Sequence, residues 1–269
     1  MVADNLTGGL APPEPRIRLS CQGVSKSYFD VAEGREVVAL AALDLDISDG
    51  EFVTILGPSG CGKSTLLNIV AGFDQPTQGV VLLDGAPIVG PGHDRGVVFQ
   101  EYALFPWLTV EQNVAYGLKE QGLPTAEVTE RAKTWIRLVG LEGYERRFSH
   151  ELSGGMRQRV ALIRVLANDP KSLLMDEPFA AVDAQTRALL QRELEQIWIR
   201  THKTVLFVTH SVDEAIFLAD RILVMTARPG RVKEIIPIDL PRPRDSTSDQ
   251  FNAYRRLATR LIEEEVTLR

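Results

Sequence analysis

The sequence predicts an α/β fold with a mostly parallel sheet. Three short apolar runs are typical of buried strands, and they lie at residues 51–56, 172–175 and 205–208. Helical patterns flank the last two runs, at residues 154–167, 184–200 and 212–218. Because strands that alternate with helices pair through helical crossovers, the sheet is expected to be parallel.

The N-terminal part of the chain predicts an antiparallel β-subdomain beside this sheet. Residues 17–56 have strand patterns, with a turn signal at Asp49-Gly50. Asp84-Gly85 is a second turn signal, of the kind that joins two antiparallel strands in a hairpin. We therefore expect a separate layer of antiparallel strands next to the parallel core.

The middle of the chain predicts a helical subdomain. Helical patterns occupy residues 110–118, 126–139 and 144–148, and they are broken at Gly122 and Pro124. We place this subdomain at about residues 101–160.

These patterns divide the chain into three parts. Residues 1–16 are rich in Gly and Pro and are predicted to be disordered. Residues 17–240 are predicted to form the main domain, which includes the helical subdomain. Residues 241–269 follow a Pro-rich break and are predicted to form a C-terminal helical tail, with an amphipathic helix at 250–266.

The composition is that of an ordinary globular protein, and it argues against several functions. Acidic residues number 36 against 30 basic ones, and the net charge of −6 argues against a nucleic-acid partner. Cys21 and Cys61 are predicted to be free thiols of a reducing compartment. The first residues lack the pattern of a signal peptide, and no apolar run reaches the ~18 residues of a membrane span. We therefore expect a chain that does not cross a membrane by itself.

A phosphate-binding loop follows the first buried strand. Its residues match the pattern G-x-x-x-x-G-K-[ST], and they are Gly57, Pro58, Ser59, Gly60, Cys61, Gly62, Lys63, Ser64 and Thr65. The glycines let backbone N–H groups turn toward phosphates, and a helix that starts near Lys63 adds its positive end. Lys63 is expected at the β- and γ-phosphates, Ser64 at Mg²⁺ and Thr65 at a phosphate. The loop predicts ATP and Mg²⁺ as ligands, and a chance Gly-rich turn is the alternative.

Two carboxylates end the second buried strand. Asp176 and Glu177 directly follow the apolar residues 173–175. Because parallel strands end at one edge of a sheet, Asp176 is predicted to lie near the phosphate loop and to hold Mg²⁺, directly or through water. Glu177 is the next residue and points elsewhere, so we predict that it polarises the attacking water. The alternative is a pair of acids that cap the following helix.

A short motif before this strand carries a family resemblance. The motif consists of Leu152, Ser153, Gly154, Gly155 and Met156. It resembles the signature motif of ABC transporters, and with it residues 17–226 resemble the ATP-binding subunit of that family. From the residues alone, Ser153 is a helix N-cap and the glycines expose the first N–H groups of the helix, which makes a second anion site.

The resemblance implies an ABC-type helical subdomain and a site shared between two copies of the chain. In this family two subunits pair head to tail, so Ser153 and Gly155 of one copy would cover the ATP held by Lys63 of the other. Asp183 lies at the position of the D-loop aspartate, which implies that it crosses the interface. The family usually has Ser or Gly and then Leu before this aspartate, whereas this chain has alanine and valine there.

Three more residues receive roles through the resemblance. Tyr28 is similar to the aromatic residue that stacks on adenine, and an ordinary core or surface tyrosine is the alternative. Gln100 is similar to the Q-loop glutamine, which would be a ligand of Mg²⁺ or of the attacking water. The alternative for Gln100 is a solvated residue at the end of a strand. His210 is similar to the switch histidine that touches the γ-phosphate, and the alternative is a histidine that caps a helix or is satisfied by local hydrogen bonds.

The segments at 90–100 and 105–107 are similar to the nitrate, sulfonate and taurine importer branch of the family. This implies an ATP-hydrolysing motor that drives uptake of a small anionic solute through transmembrane permease subunits and, indirectly, a solute-binding protein. Phe105, Trp107 and Leu108 are predicted to receive a helix of the permease or to pack locally. The implied location is the cytoplasmic face of the inner membrane, as a peripheral protein. An exporter motor and a non-transport ATPase switch are the alternatives.

Overall fold

The computed structural model describes residues 16–32 and 34–267, so the predicted disordered segment 1–16 lies outside it except for Arg16. The strands are β1 (Ile17–Asp30), β2 (Arg35–Ser48), β3 (Phe52–Leu56), β4 (Gln78–Leu83), β5 (Ala86–Pro87), β6 (Arg95–Val98), β7 (Ser172–Asp176), β8 (Thr204–Thr209), β9 (Arg221–Met225) and β10 (Val232–Pro237). The helices are α1 (Lys63–Ala71), α2 (Val110–Glu120), α3 (Thr125–Leu138), α4 (Gly154–Leu166), α5 (Ala184–Thr201), α6 (Val212–Leu218) and α7 (Asp249–Thr267), with a 3₁₀ helix at Ser149–Glu151.

The larger sheet has the strand order β10-β9-β3-β8-β7-β6. Its neighbours pair in parallel, except that β10 is antiparallel to β9. Leu56 pairs with Thr209, and Asp176 pairs with Val208. The carboxyl ends of β3, β7 and β8 therefore lie side by side at one edge, where ligands of parallel sheets bind. The predicted mostly parallel α/β core is confirmed.

The smaller sheet is antiparallel and has the order β2-β1-β4-β5. The predicted hairpin joins β4 to β5, and its turn residues Asp84 and Gly85 both have positive φ, at 51° and 79°. Leu43 of this sheet, Leu66 of α1 and Val53 of β3 belong to one buried apolar core. Helix α1, which begins in the phosphate loop, is thus held by both sheets.

A second apolar core joins the helical subdomain to the larger sheet. It includes Val114 and Leu118 of α2, Ile136 of α3, Ile163 of α4 and Met175 of β7. Both α2 and α3 match the helices predicted for this region, with ends that differ by one or two residues.

The prediction of a helix at 144–148 is wrong, because that segment forms turns and an isolated bridge. The carbonyls of Arg147 and Glu145 accept hydrogen bonds from the N–H groups of Val110 and Glu111, at 2.8 and 3.0 Å. Both carbonyls are therefore used by the first turn of α2, whose N–H groups have no partner within their own helix.

The C-terminal part completes the larger sheet and covers one side of it. The sequence patterns did not predict β9 or β10, whereas the helix predicted at 250–266 is present as α7. Phe251, Ala258 and Leu261 of α7 are buried against Ile236 and Ile238. Among residues 16–32 and 34–267, no helix combines the length and apolar character needed to cross a membrane.

Candidate active site

An open cleft of about 460 Å³ lies at the carboxyl edge of the larger sheet. Its walls come from the end of β1, the start of β2, the phosphate loop, Glu177 and the turn between β9 and β10. The predicted residues that line it are Tyr28, Ser59, Gly60, Gly62, Lys63, Ser64, Thr65 and Glu177.

The phosphate loop has the backbone that its glycines predict. Gly60 and Gly62 have φ angles of 75° and 96°, in the left-handed region that favours glycine. A Cβ on Gly62 would lie 3.0 Å from the carbonyl oxygen of Ala39, so the loop is also packed closely on β2. The buried Lys63 Nζ donates to the carbonyls of Gly57 and Pro58 at 2.8 and 3.0 Å. Its charge is thereby held within the curve of the loop.

Asp176 lies at the end of β7, directly beside the start of α1. Ser64 Oγ donates to Asp176 Oδ1 at 3.1 Å. Burial and the neighbouring charge of Glu177 raise the pKa of Asp176, although the hydrogen bond from Ser64 opposes the shift. The site thus pairs a hydroxyl with a carboxylate whose negative charge the protein only partly compensates.

Glu177 and His210 form a pair at the same edge. His210 Nδ1 lies 2.8 Å from Glu177 Oε2, and the glutamate is the less exposed of the two. Glu177 has a φ of 43°, and its N–H donates to the carbonyl of Val208 at 2.9 Å. A non-glycine residue in this region costs on the order of 1–3 kcal/mol, and such residues are concentrated at functional sites.

Tyr28 stands at the other end of the cleft and is 45% exposed. Its hydroxyl donates to Asp74 Oδ2 at 3.0 Å, and Lys26 Nζ lies 5.0 Å from the centre of its ring. Burial and the bond to Asp74 raise the pKa of Tyr28. The ring is therefore fixed at its hydroxyl end, and an aromatic face remains for a base to stack on.

The remaining predicted residues do not line this cleft. Gln100 is exposed and lies just beyond β6. Ser153 caps α4 by accepting from the N–H of Met156 at 3.3 Å, and Asp183 caps α5 by accepting from two N–H groups. The structure therefore gives both residues a role as helix caps within one chain. In the part of the chain that the structure describes, residues 152–156 contribute nothing to the lining of the cleft.

Some cleft residues were not predicted. Phe29, Val37, Ala39 and Arg228 line the cleft, and Asp30 does as well. None of these residues belongs to a sequence motif. They reach the cleft through the pairing of β1 with β2 and through the turn after β9.

Comparison with known proteins agrees with this arrangement. The model of a family described as ABC transporter matches residues 40–180. This chain belongs to that family, as a protein that carries its ATP-binding domain. It is an ABC-type ATPase in which ATP hydrolysis is coupled to transport, as the resemblance to the family implied.

Relatives of known sequence and structure cover most of the chain. An uncharacterized ABC transporter ATP-binding protein of Methanocaldococcus jannaschii is 55% identical, over 93% of each chain. An aliphatic sulfonates import ATP-binding protein of Bacillus cereus is 47% identical, over 88% of this chain and 93% of the relative.

Two solved structures of the ATP-binding cassette MJ0796 have the same fold. Its dimeric structure has a TM-score of 0.73 at 33% identity, over 83% of this chain and all of that one. A dimeric post-hydrolysis state of the same cassette, bound to ADP and Pi, has a TM-score of 0.72 at the same identity and coverage.

Proposed function

We propose that this chain is the motor subunit of an importer for a small anionic solute of the nitrate, sulfonate or taurine type. The observation that carries this proposal is the 47% identity to an aliphatic sulfonates import ATP-binding protein, which extends over nearly the whole of that protein. The segments 90–100 and 105–107 favour the same branch. The solute would pass through a separate membrane permease, to which a solute-binding protein delivers it.

The loop and its neighbours form the nucleotide site in this proposal. Lys63, already held by the loop carbonyls, contacts the β- and γ-phosphates, while the loop N–H groups and Thr65 contact the phosphates around it. Tyr28 stacks on the adenine at the far end of the cleft.

The residues at the sheet edge fit Mg²⁺. This ion prefers oxygen ligands, and in nucleotide sites it needs only one or two carboxylates beside the phosphates. Ser64 and Asp176 supply a hydroxyl and a carboxylate 3.1 Å apart, and a cation would compensate the charge that burial disfavours at Asp176. When bound, the metal would neutralise charge on the phosphate groups. Gln100, exposed just beyond β6, is the further oxygen ligand that the family resemblance implies for this site.

Glu177 is proposed to be the general base. Its carboxylate lines the cleft, where it can accept a proton from a water that attacks the γ-phosphate. His210 holds Oε2 of this carboxylate at 2.8 Å, and its own exposed ring is available to the γ-phosphate. His210 thus orients the base and senses the nucleotide.

The active form is proposed to be a head-to-tail homodimer. The signature residues 152–156 do not line the cleft of their own chain, so one copy by itself lacks that part of the site. Ser153 and Gly155 of a second copy would complete it with the N–H groups at the start of α4. The dimeric cassette structures with 33% identity support this assembly.

A surface on the helical subdomain is proposed to receive the permease. Trp107 is 69% exposed, and its ring packs beside that of Phe105, which also contacts Tyr116. An exposed aromatic group of this kind is typical of a site that binds a helix of a partner. The chain would then lie at the cytoplasmic face of the inner membrane.

Reconstitution tests the importer assignment. The chain is purified with its membrane subunit, placed in liposomes, and assayed for ATP hydrolysis with the matching solute-binding protein and each candidate anion. We expect stimulation by one of these anions and accumulation of that solute on the importing side, with neither in a Glu177→Gln control. Stimulation only by an uncharged solute, or transport in the outward direction, would contradict the proposal.

A further inference from the structure

The turn between β9 and β10 is closed by its own hydrogen bonds. The N–H of Thr226 donates to the carbonyl of Arg231 at 2.9 Å, and the N–H of Arg231 donates to Thr226 Oγ1 at 3.0 Å. Thr226 Oγ1 also donates toward the carbonyl of Pro229 at 3.0 Å. These bonds close residues 226–231 into one compact segment, which we call the 226–231 turn.

This turn lies directly against the phosphate loop. Arg228 Nε donates to the carbonyl of Gly60 at 2.9 Å, and the guanidinium lines the nucleotide cleft. A Cβ on Gly230 would lie only 1.9 Å from the carbonyl oxygen of Cys61, so the two backbones are in direct contact. Arg228 therefore holds the carbonyl of Gly60 at the edge of the cleft.

The same turn is attached to the smaller sheet through β2. The N–H of Gly230 donates to the carbonyl of Ala39 at 3.1 Å, and the N–H of Ala41 donates to the carbonyl of Gly230 at 2.9 Å. Ala39 is also the residue on which Gly62 of the phosphate loop packs. The turn and the loop therefore share one support.

The end of α7 holds the turn from the opposite side. Glu265 Oε2 accepts from the N–H of Ala227 at 3.0 Å, and Lys233 Nζ lies 2.7 Å from its Oε1. Glu265 is only 8% exposed. The hydrogen bonds from Lys233 and from the N–H of Ala227 both lower the pKa of Glu265. Glu264 also pairs with Lys233, at 2.8 Å, but its side chain is more exposed than that of Glu265. Among residues 16–32 and 34–267, its hydrogen bonds do not extend to the 226–231 turn.

We propose that the 226–231 turn braces the phosphate loop, that Arg228 and Glu265 are positioning residues for ATP binding, and that α7 thereby sets the affinity for nucleotide. The contacts form one continuous series from Glu265 through Ala227 and Arg228 to Gly60. The positive charge of Arg228 at the edge of the cleft adds attraction for an anionic ligand. This inference rests on the nucleotide site assigned above.

A matched pair of glutamate variants tests the series. Glu265→Ala and Glu264→Ala each remove one carboxylate that pairs with Lys233 from the same turn of α7, but only the first removes the contact with the 226–231 turn. We expect the full-length Glu265→Ala protein to bind a fluorescent ATP analogue roughly three- to tenfold more weakly, which is the range of one ordinary net hydrogen bond. Glu264→Ala should keep the wild-type dissociation constant, and circular dichroism confirms that both variants are folded at the assay temperature.

Variants of Arg228 test the same series of contacts independently. Arg228→Ala should weaken binding of the analogue at least as much as Glu265→Ala does. If the glutamate acts through the arginine, the double variant should bind the analogue no more weakly than Arg228→Ala alone. Arg228→Lys, which keeps the charge, should recover part of the loss. Additive losses in the double variant, or equal affinities of the two glutamate variants, would overturn the brace.

A Lys63→Ala protein separates this failure from a failure of the site itself. If Lys63→Ala binds the analogue as tightly as the wild type, the assignment of the nucleotide site is wrong. If Lys63→Ala loses binding while the glutamate pair behaves alike, only the brace is wrong.

Discussion

At the residue scale, the cleft concentrates negative charge that the protein itself compensates only in part. Asp176 and Glu177 are consecutive, and the nearby positive charge of Lys63 is already engaged by two loop carbonyls. Burial and Glu177 together raise the pKa of Asp176. An ionised carboxylate in this position destabilises the folded protein but favours a bound cation. Such a compromise between stability and function is common at functional sites.

The sign of this shift predicts a pH-dependent gain in stability for Asp176→Asn. A carboxyl whose folded pKa is above its ordinary value of 3.8 destabilises the fold when it is ionised, and this penalty vanishes as the pH falls through the folded pKa. We therefore expect the nucleotide-free variant to melt at a higher temperature than the wild type at pH 7, by a margin that shrinks as the pH is lowered. Thermal melts of both proteins at pH 7 and at successively lower pH measure the difference in melting temperature.

An exposed aspartate supplies the control for this experiment. Asp213 pairs with Arg255 on the surface, and its side chain is 60% exposed. Asp213→Asn should leave the melting temperature unchanged or slightly lower at pH 7. If Asp176→Asn behaves as this control does, the carboxylate does not carry the penalty assigned to it.

At the scale of elements, the position of each motif depends on how closely the strands and helices approach. Gly96 in β6 is one such point, because a Cβ there would lie 2.1 Å from Val165 Cγ1 of α4 and 3.1 Å from Pro170 Cγ. The absence of a side chain lets the end of α4 pack directly on β6, the strand that leads to Gln100.

Gly96→Ala is therefore expected to destabilise the protein by about 1–3 kcal/mol, because overpacking forces neighbouring backbone and side chains to shift. Gly90→Ala is the matched control, since its Cβ would meet no atom within 4 Å. That substitution should change the free energy of unfolding by no more than about 0.5 kcal/mol. Urea denaturation of both variants gives the comparison, and equal effects would show that the contact at Gly96 is not tight.

Elements also show where local patterns mislead. The strand β9 has an apolar run, Ile222 to Met225, that periodicity alone does not assign to strand or helix. It becomes a strand because β3 offers a parallel edge beside it. Residues 144–148 have a helical pattern, yet the carbonyls of Glu145 and Arg147 serve the first turn of α2. In both cases a partner distant in sequence decides the conformation.

At the scale of the whole molecule, the proposed site needs two copies of the chain. Glu177 lines the cleft, whereas Ser153 belongs to the start of α4 outside it. If the halves combine in a head-to-tail dimer, each site takes its base from one copy and its signature from the other.

Mixing two inactive variants tests this arrangement. Glu177→Gln removes the base, and Ser153→Asp keeps an N-cap acceptor for α4 while it repels phosphate. Each pure variant should hydrolyse ATP at least about 100-fold more slowly than the wild type. A mixture equilibrated without nucleotide should regain phosphate release, because each mixed dimer contains one intact site and one site with both defects. A mixture as inactive as its parents would show that Ser153 and Glu177 act within one chain.

The sequence by itself determined the features that depend on local order. The phosphate loop, the acids at the end of β7 and the histidine at the end of β8 were predicted because each follows a recognisable apolar strand, and parallel strands end at one edge. The cap at Ser153 was likewise predicted from residue type and position, whereas the cap that Asp183 makes on α5 was not predicted.

Only the tertiary structure decided which distant groups meet. The contact of Arg228 with Gly60, the hold of Glu265 on Ala227 and the distance from His210 to Glu177 depend on strand register and on packing between elements. No local pattern encodes them, because hydrogen bonds between residues separated by tens of positions arise only after apolar burial has set the positions of the elements.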